Sequence, residues 1–297
     1  MSLHGIYQLA ADYNVKIIDA KDIFSSVEGL VRALNPQQQL ELLKRYGDAG
    51  RPSTYLYVSK DKNPSPFDTY KKANDLLFIK NESLLWESYP YFYDVKIDDL
   101  DNSLRIRFHY FYGTSMTVDE NNKQHELRYK HYGVAIYRKD SRVLEVRTKH
   151  KTMADKIARN TPVQLGIAPF ESISLMDDKL KKAFVGWIQF LNSANIELPS
   201  TEEVAGSLHM TARKGMDLKT AAKFTRELRD GQLQGGHVTI GHGETKVNFR
   251  INFRDCHVSY TLFTVEQDIA YVINAVEKIM EGYKFDKTRP LKDFFDK

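Results

Sequence analysis

The sequence predicts an α+β protein with a helical N-terminal region followed by two mainly antiparallel sheet-and-helix units. Apolar residues recur at helical spacing up to about residue 88, and strand-like alternation replaces that pattern from residue 89 to about 149. The last segment has the order β-α-β-β-β-α, which places two helices on one sheet face and leaves a polar face open. The predicted boundaries are 1–88 for the helical region, 89–168 for the first sheet unit and 169–297 for the C-terminal unit.

In the N-terminal region, helix signals precede one short strand. Asn35 is a suitable N-cap residue, Pro36 occupies the first helical position, and leucines follow before Gly47. Residues 52–59 form the predicted strand.

The first sheet unit carries basic side chains on its strands. Apolar residues alternate with Arg105, Arg107 and His109, so these three side chains share one strand face. A later strand brings Arg147 and Lys149 to one face in the same way. Both rows are expected to be exposed.

Two helices are predicted after these strands. The first covers about 152 to 159 and is limited by Pro162. Residues 169–175 are expected to form a linker. Asp177 then begins a helix whose apolar stripe continues at helical spacing to Leu191.

The C-terminal unit has the clearest pattern. Its predicted strands lie at 207–212, 236–241, 246–254 and 257–263. Asp217 is expected to cap a helix that reaches Arg229, and a capping box at 264–267 opens a final helix that Gly282 closes.

The strand at 246–254 has the most informative face. Its apolar residues share one side, which is expected to pack against the core. The opposite side carries three cations, two amides and no acid, namely Lys246, Asn248, Arg250, Asn252 and Arg254. Such a row suits an anion, and a nucleic-acid backbone is the predicted partner.

Neighbouring strands extend this row into a face of four strands. The other side chains expected to point outward are His209, Thr211, His237, Thr239, His257, Ser259 and Thr261. Lys219 and Lys223 share one flank of the helix that follows Asp217 and add positive charge.

Positive charge is concentrated in one region of the chain. The net charge is +4, yet residues 123–159 contain 11 Lys or Arg and 4 Asp or Glu, an excess of +7. Tyr129, Tyr132 and Tyr137 lie among these cations, a combination that suits phosphate neutralisation with base stacking. The predicted nucleic-acid contacts in this half are Arg105, Arg107, Lys130, Arg138, Lys139, Arg147, Lys149 and Lys151.

Two tetrapeptides carry a possible chemistry. Leu208-His209-Met210-Thr211 and Gly236-His237-Val238-Thr239 both place His and Thr two residues apart on a strand, where they share a face. The pair resembles the paired motifs of the two-histidine phosphoesterases. The resemblance implies that His209 and His237 would act as acid and base on a phosphodiester while Thr211 and Thr239 hold its oxygens.

Other classes of protein receive little support. Cys256 is the single cysteine, so neither a disulfide nor a cysteine-based zinc site can form within one chain. No nucleotide-binding fingerprint, metal-ligand set or cofactor motif is present, and no run approaches the ~20 apolar residues of a membrane span. A reducing, cytoplasmic location is expected.

The favoured prediction is therefore a non-catalytic nucleic-acid-binding protein that contacts the backbone of duplex DNA, in preference to RNA, through basic sheet faces. One alternative is a phosphodiesterase that uses the two His-x-Thr motifs. Another is a subunit of a larger assembly whose polar sheet face contacts an acidic protein.

Overall fold

The structure, a computed structural model, describes residues 3–16, 22–46, 48, 52–59, 90–98, 103–118, 120, 123–138, 143–164, 169–199, 206–242, 245–261 and 264–285. Its centre is one sheet of 11 strands with antiparallel pairing, in the order β2-β3-β4-β5-β1-β11-β10-β9-β7-β8, with β6 paired to β1. The predicted α+β class and antiparallel sheet are thus confirmed.

The strand and helix bounds are as follows. The strands are β1 (Ser53–Ser59), β2 (Tyr91–Asp98), β3 (Ser103–Val118), β4 (Gln124–Arg138), β5 (Val143–Arg147), β6 (Phe170–Ser172), β7 (Phe190–Glu197), β8 (Ser207–Thr211), β9 (Gln232–His242), β10 (Thr245–Asn252) and β11 (His257–Tyr260). The helices are α1 (Leu3–Asp12), α2 (Ile23–Ala33), α3 (Pro36–Tyr46), α4 (Lys151–Gln164), α5 (Asp178–Trp187), α6 (Ala222–Asp230) and α7 (Glu266–Phe285), with a 3-10 turn at Leu218–Thr220.

Strand β1 joins the two predicted sheet units into one sheet. Thr54 pairs with Arg147 of β5 on one side and with Val258 of β11 on the other. We refer to β2, β3, β4 and β5 as the N-terminal half of the sheet, and to β11, β10, β9, β7 and β8 as the C-terminal half.

Helices cover the two halves from opposite sides. Tyr55 and Tyr57 of β1 belong to the core under α4, which includes Ile157. Leu56, which points the other way, belongs to the core under α5 and α7, which includes Phe184. The side of the C-terminal half that α5 and α7 leave uncovered is therefore the polar side, as predicted for an open face.

Local signals place several helix starts. The Asn35 side chain accepts a hydrogen bond from the Gln38 backbone N–H at 2.9 Å, and the Gln38 side chain accepts one from the Asn35 N–H at 3.0 Å. Asp177 accepts from Lys179 N–H at 2.8 Å, at the start of α5. These capping predictions are confirmed.

Other local predictions were wrong. Helix α5 ends at Trp187, and Leu191 lies in the unpredicted strand β7. The predicted linker contains β6, which adds to β1. Asp217 caps the 3-10 turn, and α6 begins at Ala222. Two predicted helix ends were also wrong, since α4 includes Pro162 and α7 continues through Gly282.

Within the described residues, no helix has both the length and the apolar character needed to cross a bilayer.

Candidate nucleic-acid interface

Five neighbouring strands of the C-terminal half build one polar surface. Thr211 of β8 lies opposite Ser193 of β7, which lies opposite His237 of β9, which lies opposite Arg250 of β10, which lies opposite Ser259 of β11. Paired residues of antiparallel strands project to the same side, so these five side chains form a row. The surface, called the polar face below, comprises Ser193, Asn195, His209, Thr211, His237, Thr239, Lys246, Asn248, Arg250, Asn252, His257 and Ser259.

The side chain of His209 is held by its neighbours. Its Nδ1 lies 2.6 Å from Asn195 Oδ1, and its Nε2 lies 3.1 Å from Thr211 Oγ1. Because an amide oxygen only accepts, Nδ1 carries the proton and Nε2 accepts from the threonine hydroxyl in the neutral imidazole. The ring therefore has a fixed orientation on the edge strand.

A second chain of hydrogen bonds lies on β7, β9 and β10. Asn192 Nδ2 donates to Thr239 Oγ1 at 2.7 Å, and that hydroxyl donates to Asn248 Oδ1 at 2.6 Å. Thr239 is buried, which makes this chain part of the floor of the surface. Its donors and acceptors satisfy one another, so Thr239 is a supporting residue in this arrangement.

The two His-x-Thr motifs line the same cavity, which has a volume of about 570 Å³. Arg213, Lys214 and Arg250 also line it, and none of the Asp and Glu residues that the structure describes does. Burial, followed by the charges of Arg250 and His209, lowers the pKa of His237 below its usual value. Burial and the positive surroundings therefore favour the neutral imidazole.

The rest of the basic row is more exposed. Lys246 Nζ lies 5.7 Å above the centre of the half-buried Phe190 ring. Asn252 Oδ1 accepts from the Arg254 backbone N–H at 2.9 Å, and the Arg254 guanidinium lies 3.4 Å from Glu197. The Arg254 side chain is 64% exposed, so solvent weakens this ion pair. Glu197, on the unpredicted strand β7, adds an acid to the margin of the surface.

His257 lies where the polar face meets α4. Its ring stacks on Tyr55 at 4.3 Å, and its Nε2 contacts Ser53 Oγ. Nearby, Lys151 of α4 lies 3.6 Å from Asp255 and 3.7 Å from Asp155. The predicted contact Lys151 is thus placed beside the polar face, with two carboxylates around it.

The arginines of the N-terminal half have a different environment. Arg147 is 3% exposed, its guanidinium binds Glu266 with both terminal nitrogens, and its Nε donates to Glu145 at 2.6 Å. Arg105 lies within 3.5 Å of Asp48 and 3.4 Å of Glu266. Burial tends to raise the pKa of Glu266, but Arg147 and Arg105 hold it below its usual value.

Arg107 and Arg138 belong to the same system. Arg107 makes two 3.0 Å hydrogen bonds to Asp48 and a further one to Asp94. Arg138 is buried and donates to Glu145 at 3.1 Å. These four arginines, predicted as nucleic-acid contacts, are placed in a network of carboxylates, and their charge is balanced inside the protein.

The other predicted contacts are dispersed. Lys130 lies 5.3 Å from the centre of the exposed Tyr132 ring, and Lys149 is exposed beside α4. Lys219 Nζ donates to the Ile188 carbonyl at 2.7 Å, which stabilises the end of α5. Lys223 is exposed on α6, on the other side of the sheet. Lys139 lies outside the described residues.

The tyrosines predicted to stack on bases also separate. Tyr129 and Tyr132 are 52% and 64% exposed, whereas Tyr137 is buried in the core under α4. Both exposed rings lie on β4, away from the polar face.

Five residues of the site were missed from sequence. Asn192, Ser193 and Asn195 lie on β7, and Arg213 and Lys214 lie in the turn after β8. The alternation of Ser193 and Asn195 with Ala194 and Ile196 was the available signal for a strand. The register shift between Leu191 and Ser193 interrupts that alternation.

The described residues contain no group of three or more His, Cys, Asp or Glu that could hold a metal ion. Cys256 is fully buried, and burial raises the pKa of its thiol. Comparison with known proteins finds no matching family model and no matching curated sequence. The polar face, whose cavity has cations but no acid among the lining residues that the structure describes, is therefore the candidate site on geometry alone.

Proposed function

We propose that the polar face binds the phosphate backbone of a nucleic acid, with duplex DNA as the first candidate. The observation that carries the proposal is the cavity, which gathers Arg213, Lys214 and Arg250 beside two imidazoles and has no acid among its described lining residues. A solvated sheet face normally mixes both signs of charge, whereas a phosphate-binding surface collects donors and cations.

The composition of the polar face favours backbone contacts over base stacking. Its side chains are imidazoles, hydroxyls, amides and cations. Phe190 is half-buried under Lys246, and Tyr55 is buried against His257. Proteins that hold single strands rely on exposed aromatic platforms, which this surface lacks among the described residues. Charge neutralisation along a duplex backbone is the better match.

A binding titration tests the proposal. Fluorescence anisotropy with duplex DNA, single-stranded DNA and RNA, each at two salt concentrations, should show binding that is tightest for the duplex and falls steeply with salt. The variant Arg250→Glu with Arg254→Glu should weaken duplex binding by about 100-fold or more, because four units of charge change on one face.

The matched control is Lys182→Glu with Lys278→Glu, which makes the same charge change on α5 and α7, on the covered side of the sheet. The control should retain duplex binding. Absence of binding to all three nucleic acids at low salt would reject the proposal. Copurification of a stoichiometric acidic protein, with no nucleic acid retained, would favour a protein partner for the same face.

A second candidate function is phosphodiester cleavage on the same surface. The observation that favours it is that His209 and His237, predicted as a pair, line one cavity with Thr211. His209→Ala or His237→Ala should then abolish cleavage of a phosphodiester substrate while duplex binding stays within a few fold. No cleavage by the unaltered protein would leave binding as the sole function of the face.

A further inference from the structure

We propose that the cavity at the β8 edge of the polar face is a subsite for a terminal phosphomonoester, the phosphorylated end of a nucleic-acid strand. This inference rests on the proposed function and names the chemical group that the same surface recognises. The cavity lies where the sheet ends, bounded by β8 and by the turn that follows it. A nucleic-acid strand that crosses the polar face from β11 towards β8 therefore reaches the cavity last.

The charge of the cavity exceeds what a backbone phosphate requires. Three cations, Arg213, Lys214 and Arg250, line it. Within the described part of the chain, no acid lines the cavity and none of the three makes an ion pair. An internal phosphodiester carries one negative charge, whereas a terminal phosphomonoester carries about −1.5 to −2 at pH 7. The doubly charged end matches this concentration of cations better.

Several polar side chains of the cavity already hydrogen-bond to one another, which leaves only the others available to bind a phosphate. Asn195 and Thr211 are occupied by His209, and Asn192 and Asn248 are occupied by Thr239.

The His237 imidazole and the Arg250 guanidinium, which are opposite each other on β9 and β10, belong to neither of these hydrogen-bonded groups. Both are free of side-chain partners among the described residues, and Arg guanidinium binds phosphate oxygens in a bidentate manner. Two available donors therefore lie on paired residues in the lining of the cavity.

The turn after β8 supplies the remaining charges. The Met216 backbone N–H donates to the Arg213 carbonyl at 2.9 Å, and Gly215 has a φ of +79° that permits the tight reversal. The side chains of Arg213 and Lys214 are exposed at this reversal. They can reach a group in the cavity without rearrangement of the sheet.

The volume of the cavity indicates a ligand larger than a phosphate group alone. At about 570 Å³ it falls within the ~300–1,000 Å³ range of small-molecule sites. Such a space accommodates a terminal nucleotide together with its phosphate.

The test compares strand ends. Fluorescence anisotropy is measured with duplexes of one sequence that end in a 5′-phosphate, a 3′-phosphate or a hydroxyl, with the fluorophore placed at the far end. A phosphorylated end should bind at least tenfold more tightly than the hydroxyl end. The variant Arg213→Gln with Lys214→Gln should lose that difference, and the control Lys182→Gln with Lys278→Gln, which removes the same charge elsewhere, should keep it.

Calorimetry with a mononucleotide 5′-monophosphate, its nucleoside and inorganic phosphate separates this inference from the proposed function. Binding of the mononucleotide but not the nucleoside, sensitive to Arg213→Gln with Lys214→Gln, supports the subsite even if no duplex binds. Binding of inorganic phosphate with equal affinity would show a site for free phosphate and overturn the terminal-nucleotide assignment. Equal affinity for phosphorylated and hydroxyl duplex ends would also overturn it, while backbone binding by the polar face would stand.

Discussion

Arginine has opposite environments in the two halves of the sheet. In the N-terminal half, Arg147 is 3% exposed and is bound by Glu145 and Glu266. In the C-terminal half, Arg250 is exposed and has no carboxylate partner among the described residues, and Arg254 is 64% exposed beside Glu197. The alternating strand pattern is the same in both halves.

The difference shows that a basic strand face is a binding surface only if no other element covers it with acids. Asp48 follows α3, and Glu266 begins α7, so both carboxylates reach the N-terminal half from distant parts of the chain. No carboxylate in the described part of the chain reaches Arg250 in this way, and α5 and α7 pack on the other side of the sheet. Removing a charge should therefore alter stability in one half and binding in the other.

Arg147→Met should cause the largest loss of stability. It leaves Glu145 and Glu266 buried without their main partner, and breaking a buried ion pair costs about 3–5 kcal/mol. Chemical denaturation measures the free energy of unfolding. The matched variant Arg250→Met should change it by less than about 0.5 kcal/mol. Equal losses in the two variants would mean that Arg250 is a structural residue.

A glycine of β9 should be nearly as sensitive. A Cβ at Gly236 would lie 1.9 Å from the Ser193 carbonyl oxygen, so Gly236→Ala forces β7 and β9 apart and should cost about 1–3 kcal/mol or more. In α5, Gly186 has no atom within 4 Å of such a Cβ, and Gly186→Ala should stabilise the protein by up to about 1 kcal/mol. Thermal unfolding of both variants compares them. An unchanged unfolding temperature in Gly236→Ala would contradict the close contact between β7 and β9.

His237 and Glu266 should also lose their contributions to stability in different pH ranges. Burial and Arg250 lower the pKa of His237, so the unfolded chain binds a proton first and stability falls as the pH drops below about 6.5. Arg147 and Arg105 lower the pKa of Glu266 despite its burial, so its contribution is present above about pH 4.3 and is lost below that value.

Urea midpoints measured from pH 8 to pH 3 should therefore fall in two stages. His237→Asn should reduce the first stage. His109, His150 and His257 also contribute to that stage, because burial lowers the pKa of all three. Glu266→Gln should reduce only the second. An unchanged acid stage in Glu266→Gln would show that the arginine network does not depend on this carboxylate.

Lys246→Gln should have the smallest effect. It removes one exposed charge from the polar face, so duplex affinity should fall modestly for every sequence and the salt dependence should lose about one phosphate contact. The slope of log affinity against log salt measures this change. A salt slope identical to that of the unaltered protein would exclude Lys246 from the contact.

Much of the fold follows from local sequence patterns. Alternation along 246–254 places Phe249 on the buried side and Arg250 on the exposed side, and short-range capping starts α3 and α5 at the predicted residues. These features depend on neighbours within a few residues, whose geometry is set by the period of a strand or the first turn of a helix.

The composition of the site was decided by long-range contacts. Strand β7 lies between the two strands that carry the histidines, and its pairing brings Ser193 and Asn195 into the polar face. Arg147 is bound by Glu266, which lies 119 residues further along the chain, and is therefore not available to a ligand. A strand face looks the same in sequence whether it meets solvent or a distant carboxylate, so the sequence determined which side chains share a face and the tertiary structure determined which face stays open.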